Sequence, residues 1–265
     1  MVNIIERNNV QMIGDGQQTI LCAHGFGCEQ SMWKYITPNF QDDYRIVLFD
    51  YVGAGKSDIS AYDSSKYNSL HGYKEDVIDV IEALDLENII FFGHSISSMV
   101  GMLAAIEHPE YFQKLIMIGP SPCYINEKDG YQGGFEKSDV YDLLEMMEMN
   151  FSGWASYMAP VGMGDAKPQL TAELEDTFVS TNPRIAREFA EVTFFSDYRN
   201  LVNKLTTPTL ILQCSEDSIV PIHVGQYLHD RMQNSELVVL DARGHYPHIS
   251  HPVETTTIIQ NYLVR

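Results

Sequence analysis

Asn88-Ile89-Ile90-Phe91-Phe92-Gly93-His94-Ser95-Ile96-Ser97 carries the reading of the fold. Residues 88–93 read as a strand whose IIFFG run is apolar on both faces, the mark of a parallel sheet covered by helices on each side. Residues 96–106 are apolar nearly all round and predict a buried helix. A serine held between a buried strand and a buried helix sits where a strained turn lifts its hydroxyl out of the sheet, as in a nucleophile elbow. The usual pattern is G-x-S-x-G, and Ser97 occupies its last place. That position must be small so that strand and helix can approach, and serine is small enough.

Outward from this centre, strand candidates lie at 19–23, 45–50, 114–119, 209–214 and 237–241. Between them, 70–84 places Tyr73, Val77, Val80, Ile81 and Leu84 on one helical face, and 253–264 reads as a closing helix. Strand and helix alternate without repeats, which predicts an α/β fold with a mostly parallel, doubly wound sheet. From about 121 to 205 the patterns are helical only (139–149, 151–158, 170–180 and 183–194). A helical insertion between strands of such a sheet predicts a cap over its carboxyl edge, where ligands bind. The expected division is a core of 1–120 and 206–265 with a cap of 121–205. The cap's aromatic and methionine side chains fit both packing between helices and the wall of an apolar pocket.

A serine nucleophile needs a base and an acid that orients the base, and in this fold the chain order is Ser, Asp or Glu, His. Ser215-Glu216-Asp217 follows the strand at 209–214, and Arg243-Gly244-His245 follows the strand at 237–241. Ser95, Asp217 and His245 are therefore the candidate triad. Glu216 competes with Asp217, and Asp241, inside the strand, competes less. His24-Gly25-Phe26-Gly27 follows the first strand, the place of a loop whose amide helps hold an oxyanion. The expected donors are the backbone N–H groups of Phe26 and Ile96, with His24 and His94 structural.

Two patterns mislead. Gly55-Lys56-Ser57 resembles the end of a phosphate-binding loop, but position 50, where that motif needs glycine, is Asp. His245, His248 and His251 have helical spacing, but Pro247 and Pro252 interrupt the helix a shared metal would need. No metal and no cofactor is expected.

The 265 residues are 45% hydrophobic and 20% charged, as in a globular protein, with a net charge of −19. That balance argues against nucleic acid, which demands clustered Lys and Arg, and against an anionic membrane surface. The opening MVNIIERNNV is polar, without the apolar run of a secretory signal, and no later run reaches membrane-span length. The four cysteines lack metal-ligand spacing. A reduced, cytoplasmic protein is expected.

HGFG, DYVGAGKSD, GHSIS, IGPSPCYIN, GGFE, LLEMME, GWA, FFSD, LQCSED and ARGHYPHISHP run in order along almost the whole chain. Together they resemble the RsbQ-like bacterial α/β-hydrolases of the general stress response, and the chain is similar to the plant karrikin and strigolactone receptor hydrolases. The resemblance implies a four-helix cap and a pocket lined by Phe26, Tyr124, Phe135, Trp154 and Phe195. It also implies a small hydrophobic ester- or lactone-like ligand. As partner it implies a PAS-containing PP2C-type phosphatase relaying energy stress to an alternative sigma factor (sigma-B). An ordinary metabolic esterase, lactonase or C–C bond hydrolase, and a receptor with a near-idle triad, are the competing expectations.

Overall fold

The computed structural model describes residues 3–265. Seven strands build one sheet: β1 (Gln11–Ile13), β2 (Gln18–Ala23), β3 (Tyr44–Leu48), β4 (Ile89–His94), β5 (Phe112–Ile118), β6 (Thr209–Glu216) and β7 (Ser235–Arg243). Their order is β1-β3-β2-β4-β5-β6-β7. Only β1 runs antiparallel, beside β3, and the other neighbours are parallel. The longer helices are preceded by a short one, α1 (Ile4–Arg7), and begin with α2 (Leu70–Ala83) and α3 (Ile96–Glu107). Four more follow between β5 and β6: α4 (Lys137–Met149), α5 (Phe151–Met163), α6 (Pro168–Ser180) and α7 (Pro183–Phe194). α8 (Ile222–His229), α9 (Pro247–Ser250) and α10 (Pro252–Leu263) complete the chain.

The fold is the expected α/β arrangement with a helical insertion. Two apolar layers flank the sheet because its central strands are apolar on both faces. One, around Leu21, Val47, Phe91 and Met117, continues into the inserted helices. The other, around Trp33, Ile90, Ile116 and Leu212, lies beneath α10. Chain direction across the sheet reverses between β2 and β4, because β3 is added on one side of β2 and β4 on the other. The loops leaving β2 and β4 therefore flank a crevice at the carboxyl edge, the usual ligand position in open α/β sheets.

Local rules explain two features absent from the sequence reading and one that overran it. β1 has only three residues, none buried, so it carries no apolar run. α8 begins directly after Pro221 and is only eight residues long, too short for a periodic signal. α5 continues to Met163 through Pro160, although a proline interior to a helix removes a hydrogen bond and usually stops it. No helix among the described residues is long and apolar enough to cross a membrane.

Candidate active site

Ser95 stands at the N-terminus of α3 with φ 55° and ψ −125°. This is left-handed backbone that a side-chain-bearing residue adopts only under constraint. Here the constraint is the tight β4–α3 junction. The Ser95 N–H donates to the Ile118 carbonyl at 2.7 Å. A Cβ on Gly93 would fall 2.8 Å from the Ser97 carbonyl oxygen, so only glycine lets strand and helix meet there. Ser97, in place of the usual glycine, is fully buried. Its hydroxyl donates to the His24 carbonyl and accepts from the Tyr51 hydroxyl at 2.9 Å.

The His245 Nε2 lies 2.7 Å from the Ser95 Oγ, and its Nδ1 lies 2.7 Å from Asp217 Oδ2. The other oxygen of Asp217 accepts the N–H groups of Ile219 at 2.8 Å and Val220 at 3.0 Å. Asp217 thus has both oxygens committed, and its side chain is fully buried. With Nδ1–H donated to the carboxylate, the His245 Nε2 carries the lone pair that faces the serine. Glu216 points outward and pairs with Arg243 at 2.7 Å, and Asp241 is exposed.

Three contacts clamp the His245 loop. The His245 N–H donates to the Gly162 carbonyl at 2.6 Å, at the end of α5. The His94 Nε2–H donates to the His245 carbonyl at 2.9 Å. Gly119 (φ 60°) passes so close that a Cβ there would lie 2.9 Å from His245 Cε1. His94 is structural: burial, then the neighbouring His248 and His245, hold its pKa well below the ordinary value. His24 is structural too. It spans the loop from the Gly25 carbonyl to the Tyr51 N–H, and burial lowers its pKa.

The amide of Ile96 is the first of α3, with no carbonyl one turn back inside the helix to receive it. The amide of Phe26 lies in the β2 loop across the crevice. Tyr124 brings its hydroxyl to 3.3 Å from Ser95 Oγ, and burial raises its pKa.

Beside Ser95 and His245 lies a small cavity of about 30 Å³. Of the five expected wall residues it takes Phe26, Tyr124 and Trp154. Phe135 and Phe195 are not in this wall. Phe194 stands in it, with its ring 5.3 Å from that of Tyr124 and 5.4 Å from that of Phe135 behind it. Phe195, just past the end of α7, turns to an outer groove of about 770 Å³ beside Tyr141 and Tyr198. Phe135 lines a groove of about 390 Å³ between α4 and α5. That groove shares Trp154, Met158 and Ile219 with the inner cavity. Phe178 and Thr193 also belong to the inner wall.

The Gly55-Lys56-Ser57 turn wraps a carboxylate, not a phosphate: the Lys56 N–H donates to Asp50 Oδ2 at 3.0 Å. His248 is buried against the Trp33 ring at 4.9 Å and the His94 ring at 4.5 Å. Burial and then His245 take its pKa down to about 3.

This elbow, acid loop and histidine loop on a mostly parallel sheet define an α/β-hydrolase, and residues 20–257 match the model of the alpha/beta hydrolase family; the chain belongs to that family. Within it, the chain is 39% identical to the karrikin insensitive 2 receptor CA of Petunia hybrida, over 93% of this chain and 92% of that one. It is 35% identical to the strigolactone esterase D14 of Arabidopsis thaliana, over 99% and 98%. Among solved structures, a hydrolase from Oleispira antarctica superposes with a TM-score of 0.97 at 39% identity, covering 99% and 97%.

Proposed function

We propose that the protein is a serine hydrolase of small hydrophobic esters or lactones, with Ser95 as nucleophile, His245 as base and Asp217 as its orienting acid. The observation that carries this reading is the unbroken chain from Ser95 Oγ through the His245 ring to a buried Asp217, each step at 2.7 Å. In the proposed reaction Ser95 Oγ attacks the carbonyl carbon while its proton passes to His245 Nε2. The carbonyl oxygen becomes an oxyanion, taken up by the N–H groups of Phe26 and Ile96; the second stands at a helix N-terminus, where the dipole favours negative charge. His245 then returns the proton to the departing alcohol, leaving an acyl ester on Ser95. A water that gives its proton to His245 releases the acid and restores the serine.

The test is hydrolysis of short-chain nitrophenyl esters by the wild type and Ser95→Ala, with mass spectrometry of the intact chain. Loss of at least about 10³-fold in turnover is expected on removing a nucleophile, with an acyl adduct on wild type only. Turnover that survives the substitution refutes the assignment.

A second reading, a receptor that hydrolyses slowly, is favoured by relatives named as receptors. It predicts one burst of product followed by turnover slower than the burst by orders of magnitude. A role upstream of sigma-B through a PAS-containing PP2C-type phosphatase rests on the motif resemblance alone. The relatives support the esterase and receptor readings better. Recovery of such a phosphatase with the tagged chain from its source cells would support that role, and its absence under energy stress would remove it.

A further inference from the structure

The cavity beside Ser95 is walled mostly by carbon: Phe26, Phe178, Phe194, Met158 and Ile219. Two of its wall residues nevertheless carry buried side-chain polar atoms without a hydrogen-bond partner, Thr193 Oγ1 and Trp154 Nε1. Thr193 is 2% exposed and Trp154 1%. Threonines inside helices commonly satisfy the hydroxyl on the carbonyl four residues earlier. Thr177 does so at 2.9 Å and Thr257 at 2.8 Å. Thr193, one residue from the end of α7, forms no such bond to Phe189. Valine has nearly its shape and would fill the same space without the cost of an orphaned hydroxyl.

We infer that Thr193, together with the Trp154 indole, is a specificity-determining polar contact, and that the ligand carries a second oxygen away from its reacting carbonyl. The inference rests on the reading that Ser95 attacks a small ester or lactone in this cavity. An indole N–H only donates and a threonine hydroxyl donates or accepts, so an ether, carbonyl or hydroxyl oxygen answers both. Both residues belong to inserted helices, α5 and α7, whereas Ser95 and His245 belong to the sheet edge. The ligand is therefore held by its reacting carbonyl at the sheet and by its second oxygen at the insertion. A purely hydrocarbon ester leaves the two groups unpaired, the situation in which hydrogen-bonding sites discriminate most strongly.

The experiment compares nitrophenyl pentanoate with nitrophenyl 3-methoxypropanoate, equal in length, with one methylene exchanged for an ether oxygen. The ratio of kcat/KM for the two esters, wild type against Thr193→Val, cancels their intrinsic reactivities. A fall of about three- to tenfold in preference for the methoxy ester is expected, the size of one hydrogen bond. Trp154→Phe should shift the ratio the same way. An unchanged ratio overturns the inference. Calorimetric binding of the same esters to Ser95→Ala, with and without Thr193→Val, judges the contact separately from the chemistry. Turnover that survives Ser95→Ala sinks the hydrolase reading, whereas equal affinity ratios, or no binding of either ester, sink the role of Thr193. Without ligand, Thr193→Val should melt at or above the wild-type temperature, and a fall of several degrees would reveal a structural role instead.

Discussion

Replacing Ser97 with alanine strikes the one position where this chain departs from the usual elbow pattern. Two buried groups depend on the Ser97 hydroxyl: the His24 carbonyl that receives its proton and the Tyr51 hydroxyl that donates to it at 2.9 Å. All three residues are at most 1% exposed, and the space left by one oxygen is too small for a replacement water. Each orphaned buried group costs about 1–3 kcal/mol, so the variant should lose about 2–4 kcal/mol. At about 2–4 °C per kcal/mol for a chain of this size, the melting temperature should fall by roughly 5–15 °C. Urea and thermal unfolding measure both. In a Tyr51→Phe background the tyrosine has no hydroxyl to orphan, and the same substitution should cost about 1 kcal/mol less. Ser97→Gly restores the common pattern yet should be worse, by about 0.5–1 kcal/mol, because glycine in a helix loses more backbone freedom. Ester turnover should fall as well, since His24 begins the loop that carries the Phe26 amide. A Ser97→Ala protein within about 0.5 kcal/mol of wild type, the scatter of ordinary surface changes, would refute the argument.

Phe194→Ala should enlarge the inner cavity and alter KM across an acyl-chain series. Phe195→Ala, facing the outer groove, should leave that series unchanged, and the reverse pattern would assign the substrate wall to Phe195. Acid should unfold the protein early. His24, His94 and His248 have folded-state pKa values below the ordinary one, His248 at about 3. As pH drops below about 6.5 the unfolded chain binds protons that the folded chain refuses, so stability is full above that pH and declines beneath it. Each such histidine contributes at most about 1.4 kcal/mol per pH unit. Unfolding free energies near pH 7 and pH 5 read the slope, which His248→Asn should flatten by one proton's share; an unaltered slope would show that His248 is not the group responsible.

That Ser95, Asp217 and His245 meet in space was readable because each stands where a strand ends and the chain must turn, so order along the chain fixes position. Which aromatic residues face the inner cavity and which the neighbouring grooves was less readable. Phe194 and Phe195 are adjacent, and what separates them is the angle at which α7 stops: Phe194 is its last residue and Phe195 its C-cap at φ −97° and ψ 3°. A sequence pattern carries no such one-residue resolution at a helix end. Phe135 lies just before the capping box that opens α4, where Glu136 and Asp139 exchange hydrogen bonds with the backbone, and that entry angle turns it towards the α4–α5 groove. The orphaned hydroxyl of Thr193 left no trace in the sequence, since a helical threonine reads the same whether its hydroxyl bonds the preceding turn or stands without a partner.

The short bond from the His245 amide to the Gly162 carbonyl ties the end of α5 to the loop that holds the imidazole. The two chains are nested as well as bonded: a Cβ on Gly164 would strike the Arg243 backbone at 2.7 Å, and Arg243 holds Asp165 at 2.9 Å. Displacements of about 1 Å at reacting groups cost roughly a hundredfold in rate. A substitution that shifts the end of α5 should therefore be felt at the His245 loop, which is bonded to it at Gly162.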